Sequence, residues 1–159
     1  MVKLVPMDEE AFSKYLDWSV RNYAEEKVKA GNWPLKGSLE RSRNEFNRLL
    51  KDGLRTENNY LYTAMDGDRD VGILWIAIMK NDDTPNETIW IYDIKVNEDM
   101  RGKGYGYEIM NALEEKAKEL KQSTISLHVF GHNTPAIELY KKCGYGITNI
   151  VMQKNIDIK

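Results

Sequence analysis

Two hydrophobic periods divide the chain. Apolar runs or alternations at Lys3 to Met7, Tyr60 to Met65, Val71 to Lys80, Glu87 to Val96 and Thr124 to Phe130 predict strands. In the last of these, Ile125, Leu127 and Val129 share one face, and Ser126, His128 and Phe130 share the other. Elsewhere the period is helical. Phe12, Tyr15, Leu16, Ser19, Tyr23 and Lys27 recur on one face of a helix capped by Asp8 and ended by Gly31, with Glu9 and Glu10 in its first turn. A second helix is expected from a Ser38 cap to Gly53, with Leu39, Phe46, Leu49 and Leu50 on its apolar face. Ile109, Leu113, Ala117 and Leu120 mark a third, running to about Lys121. Asn133 caps a fourth, Pro135 sits in its first turn and Gly144 stops it.

Asn32-Trp33-Pro34, Asp66 to Asp70 and Asn81 to Asn86 read as connections, and Tyr145 to Ile156 as one or two closing strands. The order β-α-α-β-β-β-α-β-α-β predicts an α/β (α+β) chain whose mixed sheet is flanked by helices. No repeat or linker interrupts it, so one domain over residues 1–159 is expected.

Composition narrows the partners. The chain is 42% hydrophobic and 30% charged with a net charge of -2, so no basic surface argues for nucleic acid. No apolar run approaches the roughly 20 residues that span a bilayer, and the first residues lack a signal-peptide core. One cysteine, Cys143, rules out an intramolecular disulfide and suits a reducing compartment. A cytoplasmic protein is expected, with room for a homodimer. No His, Cys, Asp or Glu spacing suggests a metal site.

Chemistry concentrates at Arg101-Gly102-Lys103-Gly104-Tyr105-Gly106, between a predicted strand and a predicted helix. Alternate glycines let the backbone turn tightly and approach a ligand. The first N–H groups of the helix point into the turn with a positive dipole behind them, an arrangement that cradles diphosphate. Arg101 and Lys103 add cations. A Walker A loop is excluded, because Gly106 is followed by Tyr107 and Glu108 rather than Lys-Ser/Thr. The dinucleotide fingerprint is excluded by the glycine spacing and by the motif's late position.

Arg-Gly-x-Gly-x-Gly after a strand ending at Val96 resembles the motif of the GNAT superfamily of acetyl-CoA-dependent N-acetyltransferases. The segment Asn133-Thr134-Pro135-Ala136-Ile137-Glu138-Leu139-Tyr140, with Gly144-Tyr145 beyond it, is similar to the same family's N-x-x-A-x-x-L-Y-x-x-x-G-F pattern, with Tyr145 in place of Phe. The resemblance runs from about Ile89 to Met152.

It implies a mixed, mostly antiparallel sheet with splayed central parallel strands. It implies that the diphosphate of acetyl-CoA rests on main-chain N–H groups of Gly102, Lys103, Gly104, Tyr105, Gly106 and Tyr107. The pantetheine arm would pair with the main chain of Ile94, Lys95 and Val96, and the strand ending near Phe130 would splay to admit it. Asn133 is implied to meet that arm, Tyr140 to meet the sulfur, and an N–H near Val96 to hold the oxyanion.

Helix geometry supports part of this independently. Seven residues turn through about 700°, so Asn133 and Tyr140 point the same way, about 10.5 Å apart along the axis. A phenol of pKa about 10 can protonate a departing thiolate of pKa about 8.5. For the base that deprotonates the amine, His128 comes first, Asp93 second and a water chain third. Trp18, Tyr23, Trp33 and the first two helices are expected to border the acceptor cleft, the aromatic rings forming an apolar or cation-binding wall.

Plainer readings stand beside these. The glycine turn can be structural, Tyr140 a core aromatic, His128 a solvent-facing strand residue, and Asp93 simply a partner of Lys95 or Arg101. His132 reads as a loop residue, Cys143 as a small buried side chain, and Lys14 to Lys29 as a solvated helix face. The acceptor is a small-molecule or peptide amine that the sequence does not identify. The competing reading is a non-catalytic acyl-CoA-binding sensor or interaction module on the same fold.

Overall fold

A computed structural model describes residues 1–80, 82–83 and 86–158. The polar turn expected over residues 81–86 falls in part outside them. The elements are β1 (Val2–Pro6), α1 (Glu9–Lys29), α2 (Ser38–Leu49), β2 (Asn59–Asp66), β3 (Arg69–Lys80), β4 (Glu87–Val96), α3 (Tyr105–Glu119), β5 (Ile125–Leu127) and α4 (Thr134–Lys142). The strands form one mixed sheet in the order β1-β2-β3-β4-β5. The first three pairings are antiparallel and β4 pairs β5 in parallel.

Helices cover both faces. Ile109, Met110, Leu113 and Ala117 of α3 pack on Leu74, Ile76, Ile89 and Ile91, with Tyr140 of α4 at the margin. On the opposite face Phe12, Tyr15 and Val20 of α1 and Phe46 of α2 pack on Leu61 and Trp75. Caps fall where short polar side chains were expected: the Asp8 carboxylate accepts from the Ala11 N–H at 2.8 Å, and Asn133 Oδ1 accepts from the Ala136 N–H at 3.3 Å. Before α2 the cap is Gly37, in the left-handed region, and Ser38 is the first helical residue. The buried stripe of α2 is Ser38, Ser42 and Phe46 while Leu39 is exposed, because two serines let α2 approach α1 closely enough for Ser42 Oγ to donate to the Val20 carbonyl at 2.7 Å.

Three expectations change. Gly53 starts a short 3-10 turn instead of closing α2, whose last residue is Leu49. The strand expected over 124–130 is ordered as a strand only at 125–127. The closing strands expected over 145–156 are absent, and every residue from Gly146 to Ile158 is exposed. β5 is consequently an edge strand rather than a central one. The physical reason is shared: a strand exists by pairing, and neither segment has a neighbour among the described residues.

At Gly72 the β3 backbone lies against β4 so closely that a Cβ would stand 2.1 Å from the Lys95 carbonyl oxygen. The obstacle is main chain and cannot rotate away. Gly72→Ala is expected to cost about 3 kcal/mol or more by overpacking, measured as a fall in the urea midpoint; a midpoint equal to wild type would contradict the tight register.

Candidate active site

β4 carries a bulge. Trp75 is opposite Asp93 and Ile76 is opposite Ile91, which leaves Tyr92 without a partner. The extra residue changes the parity of the strand: Ile89 and Ile91 face α3 before it, Ile94 and Val96 after it. Tyr92 and Asp93 therefore both turn toward α1 and α2. Tyr92 stacks on Trp75 with ring centroids 4.4 Å apart. Pairing with β5 stops at Ile91 opposite Leu127. From Tyr92 to Val96 the side of β4 that β5 would cover is open, and the chain after Leu127 leaves it.

Asp93 lies at the floor of this opening. It accepts hydrogen bonds from Tyr15 Oη at 2.7 Å and Ser19 Oγ at 3.1 Å, both on α1. Burial raises its pKa; the bonds from Tyr15, Ser19 and the Ile94 N–H oppose that shift. The expected pairing with Lys95 or Arg101 is not what holds it. Lys95 Nζ sits over the Trp18 ring, 3.9 Å from its centroid, with its pKa lowered mainly by burial. Arg101 turns its Nε back to the Val96 carbonyl at 3.2 Å, bracing the end of β4.

The glycine turn opens α3. Gly104 is the residue before the helix, at φ 86 with no side-chain cap, and a Cβ there would meet nothing within 4 Å. The first intrahelical bond runs from the Glu108 N–H to the Gly104 carbonyl. The N–H groups of Tyr105, Gly106 and Tyr107 have no partner among the described residues. They lie at the positive end of a 15-residue helix. Tyr105 points its side chain inward, and its hydroxyl donates to Asp66 at 2.7 Å, which holds that carboxyl below the usual range. That bond anchors the helix start to the end of β2. Tyr107 is at the surface with Lys142 over its ring, and Lys103 is exposed.

Tyr140 is raised to about 12 by burial and then by the Asp93 charge, so its phenol stays protonated through the neutral range. Asn133 spends its side-chain oxygen on the α4 cap. His128 lies beyond β5, at the surface but partly covered, its ring edge-on to Phe130 at 5.1 Å. Partial burial, then the Lys27 ammonium, lower its pKa. Lys27 Nζ is held 5.6 Å from the ring centroids of both Tyr23 and Trp33. Of the three rings expected to form a wall, Tyr23 and Trp33 meet edge to face with centroids 5.5 Å apart beside Lys27, whereas Trp18 is met separately by Lys95. His132 also acquires a partner, its Nε2 meeting the Glu26 carboxylate and tying the segment after β5 to α1.

Sequence reasoning missed Tyr15 and Ser19 as partners of Asp93. Their signal was present: two hydroxyls at i and i+4 on an otherwise apolar helix face. It missed Lys27, whose role depends on Trp33 and Phe130 arriving from distant segments.

The model of the Acetyltransferase (GNAT) family matches residues 16–145. The chain is 36% identical over 155 residues to the uncharacterized N-acetyltransferase YycN of Bacillus subtilis (strain 168), covering 98% of this chain and 99% of that one. It superimposes on the crystal structure of YycN, a putative acetyltransferase, with a TM-score of 0.94, covering 99% of this chain and 100% of that one at 37% identity. An acetyltransferase structure with acetyl-CoA from Clostridium acetobutylicum shares the fold, with a TM-score of 0.62 at 20% identity, covering 98% of this chain and 96% of that one.

Because Asp93 is raised, folding favours its protonated form. Its contribution to stability is therefore fully present below the ordinary carboxylate value of about 3.9 and is lost as pH climbs from there through the raised value. Asp93→Asn is expected to remove that decline, read as urea midpoints across acidic to neutral pH; identical slopes in the two proteins would show that Asp93 stays charged at no cost.

Proposed function

The chain belongs to the acetyltransferase (GNAT) family, and on that footing we propose that residues 1–159 act as one N-acetyltransferase domain that moves the acetyl group of acetyl-CoA to a primary amine. The observation that carries this reading is the set of unpaired N–H groups at the start of α3, beside an open backbone edge on β4. The cradle suits a diphosphate: main-chain donors converge with no Cβ in the way. Gly102 to Tyr107 would hold it, and the edge of β4 at Ile94, Lys95 and Val96, which no strand covers and where the Ile94 N–H and the Val96 carbonyl meet only side chains, would pair with an extended pantetheine arm. Bound there, acetyl-CoA supplies an activated thioester.

The rest falls to the chain's own side chains. His128, kept neutral by partial burial and by Lys27, takes the proton from the ammonium of the acceptor. The freed nitrogen would bond to the thioester carbon and release its second proton to solvent as the carbon–sulfur bond breaks. Tyr140, protonated because it is buried near Asp93, gives its proton to the departing sulfur. An N–H near Val96 is positioned to stabilise the oxyanion. Asp93 is better suited to positioning than to proton transfer, since Tyr15, Ser19 and the Ile94 N–H already occupy its oxygens. It fixes α1 against β4. Direct transfer requires no covalent enzyme intermediate.

Tyr140→Phe is expected to lower turnover by about 10²-fold while leaving acetyl-CoA affinity intact, measured as CoA release with a panel of amines. Unchanged turnover would remove Tyr140 from the acid role. Binding without turnover on any amine in the wild-type protein would favour the sensor reading. Gly104→Val forces a β-branched side chain into left-handed backbone; acetyl-CoA binding by calorimetry is expected to be lost, and undiminished affinity would mean that the cradle lies elsewhere.

A further inference from the structure

The last thirteen described residues are the least satisfied part of the molecule. Ile147, Ile150, Val151, Met152, Ile156 and Ile158 are between 65% and 97% exposed. Surface apolar residues are normally scattered; here six crowd one short tail. From Ile150 onward the pattern alternates. Ile150, Met152, Ile156 and Ile158 fall at one parity, interrupted by Lys154, while Val151, Gln153, Asn155 and Asp157, mostly polar, fall at the other. That is the signature of a strand with one buried face. Yet the final main-chain hydrogen bond runs from the Tyr145 N–H to the Tyr140 carbonyl, and beyond it no backbone group finds a partner among the described residues.

A matching vacancy exists in the sheet. β5 pairs with β4 on one side only, and its outer edge is free. It ends at Leu127, where β4 diverges, so the strand-like residues 128–130 lack a neighbour on both sides. The chain's own tail does not fill this edge. Tyr145 is packed against the core beside Tyr140, and the tail then runs away to the far end of α1, where Gln153 lies beside Gly31.

We propose that residues 146–158 are an exchanged strand: the tail of each chain pairs with the free β5 edge of a second copy, and the exchange is reciprocal. Such an arrangement closes on itself about a two-fold axis and leaves neither edge open. It satisfies the tail's backbone groups and supplies the neighbour that would extend β5 toward Phe130. The area is sufficient. A large aliphatic side chain hides roughly 60–120 Å² when fully covered. The four on the tail's apolar face, in both copies and with the surfaces they cover, hide roughly 960–1,900 Å². A stable interface needs about 1,000 Å².

The test combines light scattering with hydrogen exchange on the full chain, over a dilution series. The expected result is twice the chain mass at micromolar concentration, with slow exchange of the amides from Ile147 to Asn155 that becomes fast as the dimer dissociates. Paired substitution of Ile150→Asp and Met152→Asp should give the mass of one chain and fast tail exchange, with the helical circular dichroism unchanged. If that variant fails to fold, the wild-type dilution series decides alone. A single-chain mass at every concentration overturns the proposal: with protected amides it means that the tail folds onto its own chain, and with fast exchange that the tail pairs with nothing. A dimer whose tail amides exchange rapidly also overturns it.

Discussion

A β-strand has two hydrogen-bonding edges, and the fold turns on what is left open along one edge of β4. On one side β4 is paired with β3 along its whole length; on the other the ladder with β5 stops at Ile91. Beyond that point its backbone groups must be met by solvent or by something else extended. The bulge at Tyr92 and the divergence of the chain after Leu127 maintain the gap. Arg101 reinforces it by holding the Val96 carbonyl from the side, so the end of β4 is braced without a neighbouring strand. Other features of the site take their position from that opening. The α3 amides stand at one end of it and Tyr140 beside it, while Asp93 forms its floor.

The charges around the gap are arranged in opposing directions, and burial is the shared cause. It raises Asp93 and Tyr140 and lowers Lys95 and His128, in each case favouring the neutral form. Hydrogen bonds from Tyr15 and Ser19 then pull Asp93 part of the way back. The outcome is a cleft whose acid candidate keeps its proton and whose base candidate stays free of one, which is the pairing proton transfer requires. Lys27 contributes without touching a reacting atom, since a cation held by Tyr23 and Trp33 makes a second positive charge on His128 costly.

Much of this was legible in the chain because it is local. Helix periodicity and the caps Asp8 and Asn133 involve residues a few positions apart, and the glycine turn carries its reason in three residues. The bulge was not legible, since it exists only in the register between β3 and β4. Nor was the partnership of Asp93 with Tyr15 and Ser19, which bridges more than seventy residues. Ser38 looked like the better cap, but Gly37 takes the left-handed turn before α2 and frees Ser38 and Ser42 to line the contact with α1. Local preference yielded there to packing between helices.

The tail shows a different kind of failure. Its alternation is readable despite Val151 and Lys154, and its isoleucines and valine favour extended backbone. Pairing is affected by context: a strand is stabilised by its neighbour, and an isolated one is marginal at best in water. A sequence can encode the willingness to be a strand without encoding whose edge completes it. The shortened β5 and the unpaired residues 146–158 are two halves of one unmet requirement, because a second chain that paired with either would meet both. If it does, residues 128–130 gain a partner along with the tail. His128 would then be held by sheet hydrogen bonding as well as by its contact with Phe130, and the geometry of the base would depend on assembly.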